Sequence, residues 1–160
     1  MTNFFDPAEL AAKLRENKST VATAESCTGG LIADKLTDTP GSSVYMMGGI
    51  VAYNNEIKEK ILGVSGETLA KFGAVSEQTA KEMAEGARHR FGSKFGVSST
   101  GLAGPDGDSE RDIPVGTVCL AVSSPVGTVV KTYRFDGDRR AVKTQAAETA
   151  LMMLSAEMKK

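Results

Sequence analysis

Thr23-Ala24-Glu25-Ser26-Cys27-Thr28-Gly29-Gly30 stands between the apolar run Val21-Ala22 and the amphipathic run Leu31-Ile32-Ala33-Asp34-Lys35-Leu36. Small polar residues and two glycines therefore occupy the place where a strand turns into a helix. At such a junction the first N–H groups of the helix lack internal partners and, with the helix dipole, favour a negative charge. A hydroxyl or thiol held there can attack a carbonyl while those N–H groups hold the oxyanion that forms. The octet also fits an ordinary turn in which Ser26 or Thr28 caps the helix, so by itself it leaves both readings open.

The flanking chain supplies alternating helices and strands. Residues 7–17 read as a helix, with Asp6 as cap, Pro7 in the first turn and Leu10 and Leu14 on one face. Residues 19–24 form a short buried strand, and a helix runs from the octet to about Thr37. Residues 44–53 are rich in β-formers, with Gly48-Gly49 marking a bulge or a close backbone approach. Asn54 caps a helix over 55–62 that Gly63 ends, so Lys58 lies on a first helical turn where a strand has just finished. A short helix over 65–72 and a longer one over 77–90 follow, the latter burying Ala80, Met83, Ala84 and Ala87. Its last turn, Arg88-His89-Arg90, reads as solvated, which makes the single histidine a surface residue and no catalytic base.

Residues 94–100 are a third strand running into Gly101-Leu102-Ala103-Gly104-Pro105-Asp106-Gly107-Asp108. Its glycines let backbone approach a ligand closely; a mobile surface loop has the same composition. Ligands of open α/β sheets bind beyond the carboxyl ends of strands, and both this loop and the octet leave such ends. Residues 115–123 and 127–135 alternate around Ser124-Pro125-Val126 as an antiparallel hairpin. Asp138 caps a final helix to about 158, facing in with Val142, Ala146, Ala150, Met153 and Leu154. Arg139, Arg140 and Lys143 crowd its N-terminus, where basic charge is unfavourable; a bound anion such as a phosphate, or plain solvation, would relieve this.

The totals set bounds. At 160 residues, 41% hydrophobic and 24% charged, the chain reads as one globular domain over 1–160. A net charge of −1 without a basic face speaks against nucleic-acid binding. Cys27 and Cys119 without CxxC spacing suggest neither disulfide nor zinc. The absence of a leader-like start or a long apolar run suggests a cytoplasmic protein that does not enter membranes. No GxxxxGK[ST], strand-leading GxGxxG or HExxH occurs, so triphosphate and metal chemistry are disfavoured.

What remains is a hydroxyl at a helix head without a histidine to activate it. A lysine can serve, yet with an ordinary pKa of about 10.4 only about one in 2,500 is neutral at pH 7. Burial at a strand end and the positive end of its own helix would lower Lys58 toward a useful range, with Tyr53 relaying the proton or fixing the amine. A surface Lys58 paired with a neighbouring glutamate is the competing reading. Cys27 is a second possible nucleophile, or else a small semi-buried thiol.

Further stretches narrow the choice. Besides the octet, Pro-Gly-Ser-Ser at 40–43, Tyr-Asn-Asn-Glu-Ile-Lys at 53–58, Leu-Gly-Val at 62–64 and Gly-Ala-Val-Ser at 73–76 occur in order. Thr-Gly-Leu-Ala-Gly-Pro at 100–105, Pro-Val-Gly-Thr-Val at 114–118 and Gly-Asp-Arg at 137–139 continue the series. Together they closely resemble the nicotinamide-nucleotide amidase family (PncC), which is also the C-terminal domain of the competence- and damage-inducible protein CinA.

The resemblance implies hydrolysis of nicotinamide mononucleotide to nicotinate mononucleotide and ammonia, without metal or cofactor. It implies Ser26 as nucleophile, Lys58 as general base and Tyr53 in support. The backbone of Cys27, Thr28 and Gly29, beside Gly30, would form the oxyanion hole, and Thr100, Gly101, Ala103 and Gly104 would line the nucleotide site. Arg139 is assigned to the phosphate from charge placement. The resemblance further implies a three-layer α/β/α sandwich with a mixed, mostly parallel sheet of about five strands ending in an antiparallel hairpin. A homodimer and a stand-alone form without the N-terminal domain of full-length CinA are also expected. One region departs: Asp108 replaces a usual glycine and Asp112-Ile113 precedes Pro114 in a link one residue longer. A carboxylate there is expected to weaken anion binding, leaving as alternatives a paralogue that binds a nucleotide without turnover, or a related amide as substrate.

Overall fold

A computed structural model describes residues 5–160. The elements are α1 (Pro7–Glu16), β1 (Val21–Glu25), α2 (Leu31–Thr37), β2 (Met46–Val51), α3 (Asn55–Leu62), α4 (Gly66–Phe72) and α5 (Glu77–Phe91), then β3 (Phe95–Gly101), β4 (Thr117–Ser124), β5 (Gly127–Arg134) and α6 (Arg139–Glu157). The strands form one sheet in the order β2-β1-β3-β4-β5. β1 pairs in parallel with both β2 and β3, while β4 runs antiparallel to β3 and β5. The mixed five-stranded sheet and its closing hairpin match the expected α/β class.

Helices cover both faces. On one, α1, α2 and α6 bury Leu10, Leu14, Ile32, Leu36, Leu151 and Leu154 against Val21, Val97, Val118, Leu120 and Val122. On the other, Leu62 of α3 and Met83 and Ala87 of α5 meet Ala22 and Ala24, while Ala80 and Ala84 meet Cys119 and Ala121. The period of two along β4 sorts its residues between the layers. All five residues of β1 are buried, as expected of a strand covered on both sides. Among the described residues no helix is long and apolar enough to cross a membrane.

Local chemistry sets most boundaries. Asp6, Asn54, Ser76 and Asp138 each accept an N–H of the helix they precede. The second strand is shorter than the expected 44–53: residues Ser42–Val44 form a 3-10 turn, and Tyr45 is buried with its hydroxyl donating to the Leu36 carbonyl at 2.6 Å. The Tyr45 carbonyl still accepts the Val21 N–H at 2.8 Å, so the turn passes directly into β2. A register shift then falls between Met46 and Gly48, and a Cβ on Gly49 would lie 2.2 Å from Thr23 Oγ1, so the glycine pair serves both a bulge and a close approach.

Two further glycines hold α5 tightly in place. A Cβ on Gly96 would lie 2.1 Å from the Ala84 carbonyl oxygen, and one on Gly86 2.0 Å from the Leu62 carbonyl oxygen. Backbone cannot yield as a flexible side chain can. Gly86→Ala is therefore expected to lower unfolding free energy by about 1–3 kcal/mol through overpacking, measured from urea midpoints. An unchanged midpoint would contradict the close α3–α5 approach.

Candidate active site

The carboxyl ends of β1, β2 and β3 lie along one edge of the sheet, and the candidate residues follow them. Ser26 leaves β1 with its N–H donating to the Ser99 carbonyl of β3 at 2.9 Å. On the other side the Glu25 carbonyl accepts the Ala52 N–H at 2.8 Å, which fixes the exit of β2 toward Tyr53. Asn54 caps α3 through the Ile57 N–H at 3.1 Å, and the next residue, Lys58, turns inward. Its Nζ lies 3.1 Å from Ser26 Oγ and 3.3 Å from the Tyr53 carbonyl oxygen. Lys58 is 1% exposed and Ser26 8%. Residues 32 positions apart thus meet inside the protein.

Burial is the main reason the Lys58 amine is held below the ordinary lysine range, with Cys27 acting in the opposite direction. No carboxylate lies within salt-bridge distance of it among the described residues, so the reading as a surface lysine paired with glutamate fails. Burial also pushes the Cys27 thiol up to about 12. At neutral pH that thiol stays protonated, which disfavours it as a nucleophile.

The turn itself corrects the sequence reading. α2 begins at Leu31 after Gly30 at φ +104°, and neither Ser26 nor Thr28 caps it. The cap comes from the strand instead. The Glu25 carboxylate, 1% exposed, accepts the N–H groups of Ile32 at 2.7 Å and Ala33 at 3.0 Å, and the Thr28 hydroxyl at 2.6 Å. The N-terminus of α2 is therefore not open to an oxyanion. The Gly29 N–H is engaged too, donating to the Ser26 carbonyl at 3.0 Å. The N–H groups of Cys27, Thr28 and Gly30 have no acceptor among the described residues, so within the expected Cys27–Gly29 set the first two carry no competing bond.

A cleft of about 260 Å³ opens on the Ser26–Lys58 pair, close to the lower end of typical small-molecule sites. Cys27, Tyr53, Thr100, Gly101, Ala103 and Arg139 line it, as do Asn55, Ala74, Val75 and Leu102. Thr28, Gly29, Gly30 and Gly104 do not. Thr28 is turned inward, with its hydroxyl also 2.6 Å from Ser99 Oγ. Thr100 Oγ1 donates to the Ala74 carbonyl at 2.6 Å and so pulls the 74–75 segment over the cleft. A Cβ on Gly101 would lie 2.6 Å from the Thr117 carbonyl oxygen, which ties that glycine to strand pairing.

Tyr53 fixes the amine, one of the two expected roles, through its backbone. Its carbonyl, not its phenol, holds Lys58; the hydroxyl accepts from Arg139 at 2.8 Å. Arg139 also donates to the Gly104 carbonyl at 2.6 Å, bridging the cleft mouth. Lys143, one turn further along α6, places Nζ 3.6 Å from where a Cβ on Gly29 would sit. The acidic link does not line the cleft: Asp108 Oδ1 accepts the N–H groups of Glu110 and Arg111 at 3.0 and 3.1 Å. The Arg111 guanidinium donates to the carbonyls of Ala70 and Lys71, fastening the link to the end of α4.

The sequence reading had missed Glu25, Ser99 and Asn55 as individual residues. Ala74, Val75 and Leu102 stand inside the 73–76 and 100–105 stretches, which were the available signal. Spacing alone could not orient them.

Comparison with known proteins bears on the family and the fold. The family model "CinA C-terminal domain" matches residues 6–158. A putative competence-damage inducible protein of Desulforamulus reducens is 53% identical over 134 residues, covering 84% of this chain and 32% of that protein. A CinA-like protein of Geobacter sulfurreducens is 53% identical over 149 residues, covering 93% and 36%. The chain thus spans about a third of the length of these curated relatives. Among solved structures, a competence/damage inducible protein from Agrobacterium tumefaciens is 42% identical over 100% of both chains with a TM-score of 0.87. One from Enterobacter asburiae is 36% identical over 95% of both, at 0.91.

The buried amine has a cost in stability with a definite sign. Because the folded-state pKa of Lys58 lies below the ordinary value of 10.5, the unfolded chain binds its proton more readily. The penalty is full below the folded pKa and vanishes as pH rises past 10.5. Measured by urea unfolding, the stability of Lys58→Met relative to the parent is expected to be most favourable at neutral pH and to fall as pH rises through that window. A difference independent of pH would show that Lys58 is not shifted.

Proposed function

The chain belongs to the CinA C-terminal domain family, and on that premise we propose that it is a nicotinamide-nucleotide amidohydrolase. In this reading it converts nicotinamide mononucleotide to nicotinate mononucleotide and ammonia, and takes neither metal nor cofactor. The observation that carries the proposal is the buried 3.1 Å contact between Ser26 Oγ and Lys58 Nζ at the wall of a cleft.

The neutral Lys58 amine takes the Ser26 proton as Oγ attacks the carboxamide carbon. The Cys27 and Thr28 N–H groups meet the oxyanion. The Lys58 ammonium then protonates the amide nitrogen, the C–N bond breaks and ammonia leaves. Water, deprotonated by Lys58, attacks the acyl-serine, and collapse of that intermediate returns the proton to Ser26 and releases the acid. The Tyr53 carbonyl holds the lysine through both halves. Ala74, Val75, Leu102 and Ala103 supply a narrow apolar wall suited to a flat ring, while Arg139, with Lys143 behind it, faces the phosphate. Asp108 is engaged within its own loop, so the altered link does not favour the non-hydrolysing alternative.

Purified protein incubated with nicotinamide mononucleotide in metal-free buffer is expected to release ammonia, and Ser26→Ala and Lys58→Ala to abolish it. No release from the folded parent would overturn the proposal. The rate is expected to rise with pH along a limb whose midpoint lies below 10.5, as Lys58 loses its proton. Arg139→Ala is expected to raise KM about ten- to a hundredfold, with a smaller change in kcat, the result of losing a charged hydrogen bond to a part of the substrate that does not react. A change confined to kcat would remove Arg139 from the phosphate.

A further inference from the structure

We propose that Glu25 is a positioning residue for the Ser26 nucleophile, acting through Thr28 and the first N–H groups of α2. This deepens the amidase reading and rests on Ser26 being the nucleophile.

Glu25 is buried at 1% exposure and none of its oxygens reaches the cleft lining. A carboxylate in that setting is costly unless its lone pairs are filled. Here they are filled by the Thr28 hydroxyl at 2.6 Å and the N–H groups of Ile32 and Ala33 at 2.7 and 3.0 Å. Thr28 has one hydroxyl proton and gives it to Glu25, so across the 2.6 Å contact Ser99 Oγ donates to Thr28. The Ser99 carbonyl in turn accepts the Ser26 N–H. The turn that carries the nucleophile is thereby closed into a ring whose members run from Glu25 to Thr28 to Ser99 to Ser26.

The arrangement also decides what Ser26 is free to do. A helix start ordinarily draws a hydroxyl from the residues just before it. With Glu25 supplying the cap from the strand, neither hydroxyl of the turn is drawn to α2, and Ser26 Oγ is left to Lys58. In Glu25→Gln an amide oxygen in the place of Oε1 still accepts the Ile32 N–H and the Thr28 hydroxyl, but the NH2 in the place of Oε2 cannot accept the Ala33 N–H. One bare N–H then competes for a hydroxyl of the turn, and Ser26 loses its aim. In Thr28→Val the carboxylate still caps α2 while its link to the turn is cut; Thr28→Ser restores the link.

The test follows Ser26 directly, independent of any amide substrate. A fluorophosphonate phosphonylates an activated serine: the Oγ–P bond forms, fluoride leaves and the serine proton passes to Lys58. Intact-mass spectrometry of the full chain would give the labelling rate constant and its end point across pH, with Ser26→Ala as blank and circular dichroism to establish folding. The parent is expected to label at Ser26. Glu25→Gln and Thr28→Val are expected to label on the order of ten- to a hundredfold more slowly, to the same end point and with the pH midpoint of the rising limb unmoved, and Thr28→Ser to label near the parent rate. A merely structural role would lower the end point and leave the rate constant of the folded fraction unchanged; that result, or full-rate labelling of both variants, overturns the proposal. Should Glu25→Gln not fold, the Thr28 pair decides. A folded parent that does not label would overturn the Ser26 nucleophile itself and this inference with it, whereas labelling without ammonia release would fault only the assigned substrate.

Discussion

Parallel pairing of β1 with a neighbour on each side is the constraint on which the site depends. It brings the carboxyl ends of β1, β2 and β3 to one edge, so Ser26, Tyr53 and Thr100 emerge together from distant parts of the chain. The backbone continues the pairing past the strands: Ser26 N–H meets Ser99, and Ala52 N–H meets Glu25. A slip of one residue in either register would turn the following residue to the other face of the sheet. The bulge at Met46–Gly48 and the glycine seated on Thr23 are what set β2 in its register.

On that frame the site works against stability in two places. Lys58 lies out of water with only a serine hydroxyl and a carbonyl for company, and Glu25 is buried one residue before the nucleophile. The two burials differ in outcome. Glu25 has its oxygens filled by two backbone donors and a hydroxyl, a full set that offsets desolvation. Lys58 has no anion beside it, so desolvation instead shifts its proton affinity downward. In the amidase reading that shift is the useful quantity, since only the neutral amine can take a proton from serine.

Much of this is legible in the amino-acid sequence. The caps at Asp6, Asn54, Ser76 and Asp138 and the buried stripes of α5 and α6 follow from side-chain chemistry and period, which are local. So did the placement of Ser26 and Lys58 at strand ends. The turn after β1 was misread for an equally physical reason. Capping is ordinarily assigned to the residue just before a helix, whereas here the acceptor sits in the preceding strand and reaches seven and eight positions ahead. Tyr53 fixes the lysine, one of the two roles expected of it, but through its backbone carbonyl and not its phenol, and a carbonyl has no signature in sequence.

By itself, then, the amino-acid sequence determined the α/β class, the order of the elements, the family and the residue types at each strand end, because all of these rest on interactions between near neighbours along the chain. Only the tertiary structure decided that Ser26 and Lys58 touch, that Glu25 and not a turn hydroxyl caps α2, that Arg139 spans the mouth to Tyr53 and Gly104, and that Asp108 turns back into its own loop. Those contacts join segments through sheet register, helix packing or backbone direction, and are set by how the layers close on one another.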